Sequence, residues 1–223
     1  MKRLCAWAIP FVALLLLPAG MLASGTQSMP MPTGPTLTPE QEAVQLYNDG
    51  ISYRDKAEKL EKEAAAEPDA AKRQKLEKKA LDKHESSIDK FAKATKKNPK
   101  LFQAWGSLGF AYRKTGKYPE ALEAYNRALE LKDGYTPAIE YRAEAYLELN
   151  RLDDVKTAYM GLFRIDRPRA DELASAIDKW VEKRRRDAAG VAPEVLEIFA
   201  KWAAERKQLS SQTSALMPAR QSW

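Results

Sequence analysis

Residues 102–135 read FQAWGSLGFAYRKTGKYPEALEAYNRALELKDGY, and residues 136–169 read TPAIEYRAEAYLELNRLDDVKTAYMGLFRIDRPR. Both windows are 34 residues long, and their apolar positions coincide. Trp105 aligns with Ile139, Gly109 with Ala143, Tyr112 with Tyr146, Ala121 with Val155, Tyr125 with Tyr159 and Ala128 with Leu162. Apolar residues recur at intervals of three and four, the spacing of a helix face, and strand-like alternation is nearly absent from 38 to 209. Asn98-Pro99, Lys114-Thr115-Gly116, Asp133-Gly134, Asn150 and Arg167-Pro168 cut the chain every 15–20 residues. Each piece supports three to four helical turns, and short breaks between such pieces make antiparallel neighbours. Small residues at 109 and 143 let two helices approach closely, and the tyrosines fill the space between hairpins.

The first window resembles the tetratricopeptide repeat (TPR). Trp105, Leu108, Gly109 and Tyr112 stand as W-x2-L-G-x2-Y, followed by Ala121, Tyr125 and Ala128. The second window is a weaker copy, without the Trp and Gly and with Pro168 one residue late. A third copy precedes these two and is interrupted. Gly50 and Tyr53 resemble the end of a first repeat helix, and Phe91, Ala94 and Pro99 the end of a second. The aromatic is due at 66 and falls at 91, so about 25 residues are inserted. The insert, 57–81, is rich in Ala, Glu, Lys and Leu and breaks once, at Glu67-Pro68-Asp69. It predicts two helices that run on and meet at Pro68, a charged hairpin projecting from the body. Ala57, Leu60 and Ala64 are expected to face Leu76, Ala80 and Leu81 as a thin seam.

The spacing gives an all-α stack of helical hairpins with one extended charged hairpin, and the TPR resemblance implies that the stack is a right-handed TPR-like solenoid. The interrupted repeat occupies 38–100, the two repeats 101–135 and 136–168, and a helix pair 169–207 follows as a degenerate repeat or a cap. In that pair Leu173, Ile177, Trp180 and Val181 share one face, as do Val195, Leu196, Phe199, Trp202 and Ala203. Residues 208–223 are expected to be a disordered tail. Thr38-Pro39-Glu40-Gln41 forms a helix start, with Thr38 as N-cap, Pro39 in the first turn and Gln41 closing a capping box.

Upstream, residues 1–24 carry Lys2 and Arg3, an apolar run from Leu4 to Leu17, then small residues. That is the pattern of a cleaved signal peptide, and the run is short for a spanning helix, which needs about 20 residues. An uncleaved anchor is the alternative. Residues 25–37, GTQSMPMPTGPTL, hold three prolines, two glycines and no charge, and read as a linker. The expected address is the bacterial periplasm or the outside of the cell.

Composition narrows the chemistry. The chain has 223 residues, 44% hydrophobic and 30% charged, with 35 alanines and 10 glycines, a helical and globular balance. One cysteine, Cys5, excludes a disulfide scaffold and a thiolate metal cluster, and one histidine, His84, removes most His-based metal sites. No phosphate-binding glycine loop, nucleophile elbow or HExxH occurs. We therefore expect no enzyme activity, no catalytic residues, no metal and no cofactor. The formal charge of +6 falls to +4 without Lys2 and Arg3, too diffuse for nucleic-acid binding. His84, flanked by Lys83 and Glu85, reads as an exposed helix residue. Glu140, Glu144 and Glu148 share one helix face, which is a solvated stripe, a cation or acid–base site, or part of a groove. Lys183-Arg184-Arg185-Arg186 either complements a helix dipole or makes weak contact with an anionic membrane.

The TPR resemblance implies a concave groove, lined by the first helix of each pair, that binds a peptide or protein segment. The family's groove positions fall on Tyr47, Ile51 and Arg54, then Gln103, Gly106, Phe110 and Arg113, then Glu140, Glu144 and Leu147. Ile51 and Phe110 stand where the family's carboxylate clamp carries Asn, so that clamp is not expected. Phe110 and Tyr47 are the expected apolar anchors, unless both serve as packing between repeats. Two functions remain: an adaptor binding a protein segment in the groove, and a structural subunit of an envelope assembly docking through the 57–81 hairpin.

Overall fold

The computed structural model describes residues 37–216, with side chains through Gln212. The expected signal peptide, most of the linker and the last residues of the tail lie outside the described residues. Eight helices follow one another: α1 (Pro39–Ala66), α2 (Ala70–Lys97), α3 (Phe102–Lys114), α4 (Tyr118–Leu131), α5 (Thr136–Glu148), α6 (Leu152–Ile165), α7 (Arg167–Arg186) and α8 (Pro193–Leu216). Among the described residues there is no strand, and no helix is long and apolar enough to cross a membrane. The odd-numbered helices pack on one another in succession, α1 on α3, α3 on α5 and α5 on α7. The even-numbered helices make their main contacts with sequence neighbours. Consecutive hairpins are therefore closer on the odd-helix side, which is the inner layer of an all-α, TPR-like solenoid.

Local chemistry sets the helix ends. Thr38 accepts from the Gln41 amide at 3.3 Å, and the Gln41 side chain accepts from the Thr38 amide at 2.9 Å, a complete capping box. Asp69 caps α2 by accepting from the Lys72 amide at 2.8 Å, so the break at Glu67-Pro68-Asp69 ends one long helix and starts the next. Asp166 caps α7 and also accepts from the Thr136 hydroxyl at 2.6 Å, tying the start of α5 to the start of α7.

Packing follows the small residues. In α1 the buried positions are Ala43, Gly50, Ala57 and Ala64, every seventh residue. A seven-residue period keeps one seam of a long helix facing its partner, and side chains this small let α2 lie close. A Cβ on Gly50 would meet the Phe91 ring at 2.5 Å, and one on Gly109 would meet Tyr125 at 2.7 Å. Phe91 and Tyr125 are fully buried, as are Val155, Leu162 and Leu173. Beyond 169, Leu173, Ile177, Trp180, Leu196 and Phe199 join the core of the 136–169 repeat. Burying a side chain of this size contributes about 1.5–3 kcal/mol, so α7 and α8 are part of the body of the solenoid.

Four expectations about the chain are corrected. α8 continues to Leu216, through the first half of the expected disordered tail. Leu81 is 44% exposed and outside the hairpin seam, and Val195 is 48% exposed. Both sit one position away from the face that their helix buries, at Ala80 and Leu196. His84 is 1% exposed rather than solvated. It continues the buried line Ala80, His84, Ser87, Phe91 and Ala94 on α2, spaced by four and three.

Candidate functional site

The inner layer holds a pocket of about 360 Å³ between α1, α3, the start of α5 and Arg169 of α7. Four aromatic residues stand in its wall, Tyr47 from α1, Phe110 from α3, Tyr135 at the N-cap of α5 and Tyr141 from α5, together with the polar side chains of Arg54, Glu58, Ser107 and Arg169. Gly106 makes the arrangement possible, because a Cβ there would meet the Tyr135 ring at 2.8 Å. Tyr135 also packs edge-on to Phe102, with centroids 5.0 Å apart. Phe110 packs edge-on to Tyr141 at 5.1 Å and faces His84 at 6.1 Å. The Arg113 guanidinium sits 5.2 Å from the Phe110 centroid and 5.3 Å from that of Tyr141. These contacts fix the orientation of Phe110, and it remains half-buried with one face toward the pocket.

Charges at the rim are already committed. Arg54 pairs with Asp55 at 2.8 Å and Glu58 at 3.6 Å. Arg169 donates to Glu140, which is 5% exposed. Burial pushes the Glu140 carboxyl above its ordinary pKa, and the Arg169 pair opposes that rise without cancelling it. Burial also works against the charge on Arg113, but Glu144, 2.5 Å away, together with Tyr125 and Tyr141 outweighs it and holds the guanidinium above its usual value. The phenol of Tyr135 is raised by burial.

Tyr47, Arg54, Gly106 and Phe110 therefore meet in one pocket. Arg113, Glu144 and Leu147 border a neighbouring one, further along the same face, although Leu147 is only 2% exposed. Gln103 is half-buried and outside both walls. Two expected groove residues are corrected. Ile51 packs, like Tyr47, against the Phe91 cluster and fronts a shallow surface beside Asn48 and Lys59 rather than the pocket wall. Glu140 is buried beneath the groove, consumed by Arg169.

The acidic stripe is not a solvated face. Glu140 pairs with Arg169, Glu144 with Arg113, and Glu148 with Lys183 and Arg184 at 3.0 Å each, so α5 is stitched to α3 and α7. The basic run is correspondingly not an open cationic patch. Arg184 is 6% exposed, Arg185 pairs with Glu182 and Glu197, and Arg186 donates to the Glu182 carbonyl.

Sequence reasoning missed Tyr135, Tyr141, Arg169 and Glu58. Tyr135 carried a signal: it ends the repeat window 29 residues after Gly106, whose missing side chain it replaces.

Residues 102–135 match the family model described as tetratricopeptide repeat. Over 51 residues, 23% of this chain, the sequence is 39% identical to the small glutamine-rich tetratricopeptide repeat-containing protein 2 of Mycosarcoma maydis. The match spans 14% of that protein's length. The chain thus carries a TPR repeat within an all-α solenoid, and such repeats generally mediate contacts between proteins.

Proposed function

We propose that this chain is a non-enzymatic adaptor that binds a segment of another protein in its concave groove, with an apolar side chain of that segment seated among Tyr47, Phe110, Tyr135 and Tyr141. The observation that carries this reading is the convergence of four aromatic side chains in one pocket on the odd-helix face, where Gly106 leaves room for Tyr135. Tyrosine rings offer apolar area with little conformational entropy to lose, and aromatic side chains dominate the energetics of protein interfaces. The rim charges are paired within the chain, so the anchor is apolar rather than ionic. The chain works after export, in the periplasm or outside the cell, in keeping with the signal-like residues 1–24.

The test is cross-linking of the full-length protein in its own cells, with a photoreactive residue in place of Pro137 on the pocket wall. A discrete protein adduct that Phe110→Glu abolishes supports the reading, provided Phe110→Glu keeps the helical content and melting profile of the parent. Arg54→Glu, at the half-exposed rim, should weaken the adduct without touching the core. An adduct unchanged by both substitutions would sink the groove reading.

A second reading has one observation in its favour. Beyond the bonds that Glu61 makes to His84 and Lys114, the 62–79 part of the hairpin is mostly exposed. This part would be the docking element of a structural subunit in an envelope assembly. Replacing residues 63–78 by a short glycine-containing turn would then remove the partner while leaving the Pro137 adduct absent in all versions.

A further inference from the structure

A second pocket opens further along α3 and α5, with a volume of about 240 Å³. Its wall includes Arg113, Tyr118, Glu144, Glu148, Lys179 and Trp180. Both carboxylates are spent: Glu144 on Arg113, Glu148 on Lys183 and Arg184. Lys179 is exposed and forms no ion pair among the described residues. The cations here outnumber the anions, and the donors outnumber the acceptors.

One N–H group on the wall of this pocket, Trp180 Nε1, is buried without an acceptor among the described residues. Trp180 is 3% exposed, and an indole N–H is a donor with no other option. Buried donors rarely stay unmet, and a specific exception calls for an explanation. The start of α4, at Tyr118 on the wall, also has no side-chain cap. An ammonium or an apolar group would leave the indole N–H and the Lys179 ammonium unmet, whereas a carboxylate accepts from both.

We propose that this pocket is a subsite for an acidic side chain, Asp or Glu, of the segment bound in the groove; it rests on the groove reading above. The two pockets share α3 and α5. From Gly106 and Phe110 in the first to Arg113 in the second is three to seven residues, about 5–10 Å at 1.5 Å per residue. An extended chain rises about 3.3 Å per residue. The acidic residue therefore lies two or three positions from the apolar anchor.

The test is a titration of the isotopically labelled full chain, following the indole N–H resonance of Trp180, identified by its loss in Trp180→Phe. The probes are two amidated peptides, acetyl-Leu-Gly-Gly-Glu and acetyl-Leu-Gly-Gly-Gln. The glutamate peptide should move the Trp180 resonance and bind at least five-fold more tightly than the glutamine peptide. Lys179→Met should remove about three-fold of that preference. Equal binding of the two peptides, or a Trp180 resonance that stays still while others move, overturns the subsite. So does an equal shift with inorganic phosphate at the same concentration, which would mark a general anion effect. If both peptides bind and Phe110→Glu abolishes the binding while Trp180 is silent, the groove stands and the subsite alone fails. If no resonance moves with either peptide, both fail.

Discussion

Glu61 and Lys114 lie 53 positions apart and are joined by a 2.7 Å hydrogen bond that fastens the long hairpin to the end of α3. Glu61 also bonds His84 Nε2 at 3.0 Å, so one carboxylate links α1, α2 and α3. Burial alone would raise its pKa, but the bonds from His84 and Lys114 prevail and bring it down to about 2, from an ordinary 4.5. A carboxyl whose folded pKa is depressed contributes stability above its unfolded pKa and loses it as pH falls through the folded one. Thermal stability should therefore drop between pH 4.5 and 2 more steeply in the parent than in Glu61→Gln. Melting curves by circular dichroism across that window check this, and parallel profiles would remove Glu61 from the account.

His84 supports the same junction from inside. It is buried, bonded to Glu61 and packed toward Phe110. His84→Ala leaves a cavity and strips Glu61 of a partner, and should cost about 2 kcal/mol in urea unfolding. Amide exchange should quicken first in the hairpin beyond Glu61, where the remaining contacts are mainly those of α1 with α2. A change below about 0.5 kcal/mol would return His84 to the class of surface residues.

How much was legible follows from the range of the contacts. The repeat could be read because Trp105, Gly109, Tyr112 and Tyr125 pack within one hairpin, where helical period and spacing decide who meets whom. The break at Pro68 and the cap at Thr38 were equally local. His84 was misread from its charged sequence neighbours, although the face Ala80, His84, Ser87 and Phe91 runs through it at helical spacing. Only half of the groove could be read. Tyr141 enters the pocket from the next hairpin, and Arg169 from the one after that. Their arrival depends on how successive hairpins are rotated, which no single window encodes. The glutamate stripe was ambiguous for the same reason, since its cations lie 29 to 36 positions away.

Two helical glycines should respond to the same substitution with opposite sign. Gly109→Ala drives a Cβ to 2.7 Å from the buried Tyr125 ring, which cannot withdraw, and overpacking of this kind costs about 1–3 kcal/mol. Gly161, within α6, has nothing within 4 Å of a Cβ, and alanine there should gain about 0.5–1 kcal/mol from the backbone alone. Chemical denaturation of the two variants checks both. A Gly109→Ala protein as stable as the parent would mean that the close approach of α3 and α4 is not needed.

Glu140 and Arg169 should not be equivalent under mutation, although they form one ion pair. Glu140 is almost fully buried and Arg169 is about a third exposed. Burial raises the Glu140 pKa, so its contribution to stability is fullest below 4.5 and declines as pH rises through the folded value. Glu140→Gln removes the buried charge, keeps an acceptor for Arg169, and should stay within about 1 kcal/mol of the parent at neutral pH. Arg169→Met leaves the carboxylate buried without its cation and should cost about 3 kcal/mol. That cost should shrink on acidification, because protonation of Glu140 removes the charge that lost its partner. Urea unfolding of both variants at pH 7 and pH 5 separates the cases. Equal costs for the two, or an Arg169→Met deficit that does not change with pH, would mean that the pair is held by packing rather than by charge.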